Sequence, residues 1–521
     1  MKQTIVAVGL LSLILALANS LFFILGMIKT PPGTVFLGTI HYWEDYFLYL
    51  NHFFQGAHGN WLVANRYTSE ATAPSILYWS NFLLGKIGGF LYLSPMVSYN
   101  LSVMLLSFVV LVISYLTLKK IFPTDRLRAL TGFFIGATAT SMINHIWVDG
   151  KPMWYPFQLW RTPHYAFDRL GGAPHQILQT LLFLFMTILY FHKESAKPKM
   201  VTLLSLLTIA LATLNPIQAV IFFGAAWACT LIVPDLRKTH IPHLLLISIV
   251  ALSSFLYTNS ALSELPHLQS KLWEGAQQTT TTLPFLLLSV GPVSLLFFIG
   301  LLPSLRQKKP MLLFGIILVL GTYVLFLSGV PKLLGLSNVR VIFPALYPFI
   351  GAVGANGIFS LKSKRWVILC LVLFLLLSLP TMRVELKEKL APLSQASDIL
   401  IFLPKNIYQG FTQLSKLPLD AVTIGNPASH IDVLIPPLSG HTTYSGHPLA
   451  TISNDKKRED ALQFFRLQKP DASLWLEKNT IRFVLFTSYD GNKELFMKTY
   501  PFLLPLWANP DMTIFTQDLH S

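Results

Sequence analysis

Residues 4–28 read TIVAVGLLSLILALANSLFFILGMI, an apolar run without one charged side chain. A bilayer core about 30 Å thick is crossed by about 20 such residues in a helix, so this run spans a membrane. Lys2 precedes it, and the apolar character continues well past Ala16-Leu-Ala18, the one triplet resembling a cleavage site. An uncleaved anchor with its N-terminus in the cytoplasm is expected. On the far side the chain reads Thr39-Ile-His-Tyr-Trp-Glu44-Asp45-Tyr-Phe-Leu48. Two adjacent carboxylates therefore stand among aromatics at the outer surface.

The rest of the chain repeats the membrane signal. Of 521 residues, 53% are hydrophobic and 12% charged, and the mean hydropathy is +0.55. One soluble core cannot hide that much apolar surface, so the bilayer must be the solvent. The net charge of +15 is uneven: 25 Lys/Arg face 10 Asp/Glu up to Thr381, and 14 face 14 thereafter. Basicity confined to the membrane part anchors topology and attracts anionic lipid. No basic, aromatic-interleaved groove points to nucleic acid. Cys229 and Cys370 both lie in apolar runs, so neither a disulfide framework nor a thiolate metal site is expected.

Further spanning runs are Pro95–Leu118, Ala129–Trp147, Pro174–Phe191, Ile241–Tyr257, Thr282–Leu302, Met311–Ser328, Val339–Ser360 and Trp366–Pro380. Between Pro198 and His240 the run has double length and is broken by Asn215-Pro216, which reads as two helices. The expected total is about 11 spans. Basic clusters at Lys119/Lys120/Arg126/Arg128, Lys193/Lys197/Lys199, Arg237/Lys238, Arg306/Lys308/Lys309 and Lys362/Lys364/Arg365 fall in every second loop. The positive-inside rule assigns these to the cytoplasm and the C-terminal region to the outside. Thr72 to Leu93 is apolar but carries Lys86 and Gly88-Gly89, and reading it as a span would invert every later loop. It is expected to be re-entrant or to lie along the outer interface.

Past Thr381 the composition becomes that of a soluble domain. Short β-type runs at Ala421–Ile424, Thr442–Tyr444, Ile481–Phe486 and Met512–Phe515 alternate with helical patterns at Asp455–Leu467, Asp471–Lys478 and Asn492–Thr499. The expected fold is thus mainly α: a polytopic transmembrane bundle over 1–381, with its first outer loop at 29–94. A C-terminal extracytoplasmic α/β domain with a largely parallel sheet follows over 382–521. No glycine-rich phosphate fingerprint opens any of its helices.

The outer face of the membrane part carries seven acids, and Glu44-Asp45 is its only adjacent pair. A carboxylate beside low-dielectric aromatics has the raised pKa that a general base for a hydroxyl needs. The plainer alternative is a surface helix that Asp45 caps while Glu44 faces water. A second outer loop holds Trp154, Trp160, Arg161, His164, Asp168, Arg169 and His175. Its aromatics and cations suit sugar stacking and anion binding, or an interfacial belt. Arg169 and His175 adjoin a helix starting at Pro174, whose N-terminus favours a phosphate. Arg340, with Lys332 nearby, is costly at membrane depth unless it is paired, bound to an anion or snorkelling to the headgroups. The histidines form no metal-binding pattern, so no cofactor is expected, although a divalent cation is compatible.

Together these features resemble the GT-C superfamily of polytopic glycosyltransferases, which use polyprenyl-phosphate-linked sugars. The likeness is carried by Asp45-Tyr46-Phe47-Leu48-Tyr49, Gln55-Gly56, Asn65-Arg66-Tyr67-Thr-Ser-Glu70 and Arg169-Leu-Gly-Gly-Ala-Pro-His175. It extends to Ile435-Pro-Pro-Leu-Ser-Gly440-His-Thr-Thr-Tyr444-Ser-Gly446-His447-Pro, Phe464-Phe465 and Ile481-Arg-Phe-Val484. The resemblance implies that Asp45 or Glu44 is the catalytic base or acceptor-binding acid. It further implies that Arg340 meets the donor phosphate, with Arg169 and Lys332 assisting, and that Glu70, Arg66, Trp154, Arg161, His164 and His175 contact substrate. Glu44-Asp45 departs from the Asp-Glu order of mannosyltransferases, and no WWD-type signature of an oligosaccharyltransferase is present. The implied activity is inverting sugar transfer at the outer face of the plasma (inner) membrane, to a glycan, lipid or protein acceptor. A transporter or lipid-linked glycan flippase is the alternative, as is a non-catalytic assembly protein, but the spanning runs carry almost no ionisable residue for coupling.

Overall fold

The computed structural model describes every residue except Met1, Ile40, His41, residues 158–171, Lys362, Asp420 and residues 518–521. The chain is mainly helical and divides into two compact units that alternate along the sequence. One contains Met1–Leu21, Val103–Ser260 and Lys271–Leu390; the other contains Phe22–Ser102, Ala261–Ser270 and Ala391–Ser521. The helix Lys364–Leu390 runs without a break through the composition change at Thr381.

Among the described residues, four helices are long and apolar enough to cross a membrane, or up to six if each bent pair is one span. The four are Pro95–Ile121, Pro234–Ala261, Pro310–Leu327 and Lys364–Ser394. Pro174–Tyr190, Pro198–Leu214 and Pro216–Ile232 are shorter apolar helices. The expected count of eleven is thus not reproduced by helix length, and local chemistry explains two of the differences.

The run Ala129–Trp147 is helical only to Thr138 and then becomes a hairpin, Ile143–Val148 paired with Lys151–Pro156. Its turn is Asp149-Gly150, at φ 51° and 72°, the positive values of a two-residue hairpin turn. Alternation in Ile143-Asn-His-Ile-Trp-Val148 and this Asp-Gly pair are strand signals inside an apolar stretch. The run Thr282–Leu302 breaks at Gly291-Pro292 into helices Leu283–Val290 and Pro292–Arg306, bent by 104°. Gly291 sits at φ 94°, and a Cβ there would lie 1.6 Å from the Thr140 carbonyl oxygen, so only glycine fits the corner. The Asn215-Pro216 break is present as expected, with the Asn215 side chain accepting from the Gln218 N–H.

In the second unit the short strands Thr34–Phe36 and Phe402–Pro404 pair antiparallel, tying the segment after the first apolar run to the C-terminal region. Helix Trp43–Ala57 packs on Trp79–Phe90 so closely that a Cβ on Gly56 would reach the Phe82 carbonyl oxygen at 2.1 Å. Trp79–Phe90 is the only helix in the 72–93 stretch, and its 12 residues extend about 18 Å, too short to cross a bilayer.

The unit also holds a five-stranded sheet over a core of Phe464, Phe465, Phe486, Phe496, Tyr500 and Phe515. Strand Val422–Ile424 is parallel to Thr442–Thr443 and to Ile481–Thr487, but Met512–Gln517 and Leu503–Ala508 add antiparallel. The sheet is therefore mixed, not largely parallel. The strand missed in the sequence, Leu503–Ala508, contains Pro505 at a register shift and lies on the sheet edge, where a missing N–H is tolerated.

Candidate active site

Glu44 and Asp45 lie in the first turn of Trp43–Ala57. The N-cap is Tyr42, left-handed at φ 57° and without a side-chain cap bond, so Asp45 is not the cap the plainer reading supposed. Both acids instead take helix positions where the peptide dipole favours negative charge. On the same helix, Tyr46 donates to the Leu37 carbonyl at 2.6 Å, and its ring meets Tyr99 edge-on.

Each acid has a histidine from the C-terminal segment near it. His447 Nε2 stands 3.6 Å from Asp45 Oδ1, just beyond hydrogen-bond distance. Its Nδ1 accepts from the Leu449 and Ala450 N–H groups, both at 3.0 Å. His430 precedes helix Ile431–Ser439 and lies edge-on to Trp43, with ring centroids 4.8 Å apart. Burial and the Arg458 charge push the His430 imidazole down, while Asp398 and Glu44 pull it back up.

Asp432, in the first turn of Ile431–Ser439, is 2% exposed. It accepts from the Val433 N–H at 3.0 Å and the Ser445 hydroxyl at 3.3 Å. Burial nevertheless pushes its carboxyl up to about 7, against the Arg458 charge and these bonds. Buried acids shifted this far concentrate at functional sites.

The stretch Asn65–Glu70 runs along residues 442–457. Thr443 N–H donates to the Arg66 carbonyl, Thr451 Oγ1 to the Tyr67 carbonyl, and Asn65 Nδ2 to the Ala450 carbonyl. Tyr67 is fully buried, donates to the Val433 carbonyl and meets the His447 ring edge-on at 5.9 Å. Two stretches that carried the family resemblance in distant parts of the sequence are thus one structure here. Arg66 reaches Thr442 Oγ1 at 3.2 Å and the Leu419 carbonyl at 3.4 Å.

Glu70 is held by Lys457, whose Nζ donates to Glu70 Oε2 at 2.6 Å and Ser69 Oγ at 2.8 Å. Burial pushes the Lys457 ammonium down, and Glu70 restores part of that. Partial burial pushes the Glu70 carboxyl up, but hydrogen bonds from Lys457 and Thr68 outweigh it and leave the group below its ordinary range. The pair is unequal, since Lys457 keeps 8% of its side chain exposed and Glu70 keeps 42%. Glu70→Gln strands a buried cation and is expected to cost ~2–3 kcal/mol, the low end for a broken buried pair because solvent screens Glu70. Lys457→Met leaves only a hydrated carboxylate and should cost about 1 kcal/mol or less, with the double variant close to it. Thermal unfolding of the purified full chain measures all three. Equal losses in the two single variants would refute the asymmetry.

The other sequence-derived positions belong to the first unit or lie outside the described residues. Arg340 donates from Nε and Nη2 to the two carboxylate oxygens of Glu274, at 2.7 and 3.1 Å. The guanidinium is thus already matched by a planar carboxylate, and Asn338 beside it exchanges bonds with the backbone of Thr279. Lys332 is exposed on the short helix Val330–Leu333. Trp154 is 60% exposed on the hairpin, beside the His145 ring. His175 is buried in the first turn of Pro174–Tyr190. Arg161, His164 and Arg169 lie outside the described residues. Among the described residues no three His, Cys, Asp or Glu side chains group as metal ligands.

The sequence reading did not select His447, His430 or Asp432. The available signal was two histidines, His441 and His447, and one acid, Asp432, in the stretch Asp432 to Pro448.

No family profile and no curated protein matches the sequence. The structure is similar to the archaeal oligosaccharyltransferase AglB from Archaeoglobus fulgidus, solved in complex with an inhibitory peptide and a dolichol-phosphate. The TM-score is 0.53 at 12% identity, over 92% of this chain and 69% of that one. It is also similar to the arabinofuranosyltransferase AftD from Mycobacteria, with a TM-score of 0.51 at 12% identity, over 99% of this chain and 41% of that one. Both are glycosyltransferases of the GT-C superfamily, and this chain has the GT-C fold.

Proposed function

We propose that the chain is a multi-pass membrane glycosyltransferase that moves a sugar from a polyprenyl-phosphate-linked donor to an acceptor hydroxyl, with inversion. The observation that carries this is Asp45, in the first helix turn after the first apolar run, facing the buried His447 in a chain of GT-C fold.

In this reading Asp45 takes the proton of the acceptor hydroxyl. The freed oxygen forms a bond to the anomeric carbon from the face opposite the leaving group. The bond from that carbon to the phosphate oxygen breaks, and its electron pair leaves with the polyprenyl phosphate. A phosphate is an activated leaving group, so the chain's main tasks are to orient the hydroxyl and accept its proton. Glu44, Arg66 and Glu70 are assigned to the acceptor side. Arg340 is the cation that the family resemblance assigns to the donor phosphate, with Lys332 and Arg169 as further candidates. The dolichol-phosphate in the AglB complex supports a lipid-linked donor. The alternation of Lys/Arg clusters supports a cytoplasmic N-terminus and an extracytoplasmic C-terminal segment in the inner membrane.

The test compares lipid-linked sugars and envelope glycans in cells with and without the protein. Buildup of one lipid-linked sugar together with loss of a glycan is expected, and the accumulated lipid identifies the donor. Unchanged lipid-linked sugars would refute the reading, and accumulation on the cytoplasmic leaflet alone would favour a flippase.

A further inference from the structure

The His447 ring is fixed more firmly than a packing residue requires. It is 3% exposed, and Nδ1 is committed to two backbone donors. A nitrogen that accepts carries no hydrogen, so the ring proton sits on Nε2. That atom is buried and has no hydrogen-bond partner among the described residues, yet it points at Asp45 Oδ1 from 3.6 Å. A buried N–H left unmatched gives up its hydration with no return, so its retention calls for an explanation. The surrounding sequence holds the ring in this pose. A Cβ on Gly446 would lie 3.1 Å from the Tyr67 ring, and the His447 carbonyl accepts from the Thr451 N–H at 2.9 Å.

We propose that His447 is a positioning residue for Asp45: its Nε2–H closes on Oδ1 when an acceptor hydroxyl is bound, leaving Oδ2 aimed at that hydroxyl as the base. This rests on the glycosyl-transfer reading above. Catalytic hydrogen bonds are often long without substrate and tighten when it binds. A donor on one carboxylate oxygen fixes the plane of the group and favours its ionised form.

The test uses membrane vesicles from cells lacking the protein, whose accumulated lipid-linked sugar is the donor, supplied with full-length variants. Turnover is divided by the amount of protein in the same vesicles. His447→Leu is expected to lower turnover by about 10²-fold, the scale of a misplaced reacting group. Its acid limb should move to higher pH, because the carboxylate has lost a donor. His447→Gln keeps an N–H at the same reach and should restore most of the rate with the limb back in place. Glu44, Tyr46 and Tyr99 face Asp45 from its own and the neighbouring helix, and His41 lies outside the described residues. All are unchanged in every variant, so a moved limb reports His447. Equal losses in both variants with an unmoved limb would make His447 merely structural and overturn the proposal, as would His447→Leu turning over normally. Loss of both variants from the membrane would also overturn it, by assigning the residue to folding. An inactive Asp45→Asn beside a fully active His447→Leu rejects this proposal alone, whereas an active Asp45→Asn rejects the reading beneath it.

Discussion

Asp45→Asn is expected to lower glycosyl transfer by about 10²- to 10⁴-fold, the contribution of a positioned general base, while the protein reaches the membrane in normal amounts. The amide has the volume of the carboxylate and still presents an oxygen toward His447 Nε2. What it loses is the capacity to hold the hydroxyl proton. Asp45 is 33% exposed, so the substitution strands no buried charge and should leave folding nearly unchanged. Glu44 is the control that gives the result its meaning. Successive helical residues point about 100° apart, and the Glu44 charge acts on His430. Glu44→Gln should therefore cost less than about tenfold, an effect on binding more than on the chemical step. Normal envelope glycan in cells carrying only the Asp45→Asn protein would remove Asp45 from the mechanism.

How much of this site was legible in the sequence depended on the range of the contacts. The acid pair was visible because its signal is local: two carboxylates just after an apolar run, at a loop parity set by Lys/Arg clusters. Glu44 and Asp45 stand together in the first turn of Trp43–Ala57. The histidines that accompany them come from the far end of the chain, and no local pattern announces such a partnership. The same holds for Arg340. Its cost at membrane depth was apparent, but its answer, Glu274, lies 66 residues away in the sequence. Helices stop short of the apolar runs where turn chemistry outweighs hydropathy. Asp149-Gly150 and Gly291-Pro292 are both strong local signals, yet they are embedded in apolar stretches, and an average over many residues hides them. In the C-terminal region, β-branched runs gave four of the five strands. Pro505 concealed the fifth, the edge strand that, with Met512–Gln517, makes the sheet mixed.

Asp432 makes the stability of this protein depend on pH in a direction opposite to that of most carboxylates. In the unfolded chain its carboxyl titrates near 3.8, and in the folded chain burial raises it to about 7. Between those values the folded state holds a proton that the unfolded state has released. The stabilisation is complete below the unfolded value and is lost as pH rises through about 7. Across that pH range the effect grows to ~4 kcal/mol at most. Asp432→Asn keeps the shape, with its oxygen accepting from the Val433 N–H and its amide turned to donate to the Ser445 hydroxyl, but it cannot ionise. The variant should lie closest to the parent near pH 4 and gain on it as pH rises, the gap opening up to about 7 and then holding level to pH 8. Thermal unfolding of both full-length proteins across that range reads the difference as a gap that opens with pH. Parallel curves would mean that Asp432 is already ionised in the folded state, stabilised by Arg458 more than burial opposes it. A widening gap would place a buried, proton-holding acid on the same short helix that follows His430, in the segment leading to His447. Loss of that proton would then loosen the segment that holds both histidines beside the acid pair.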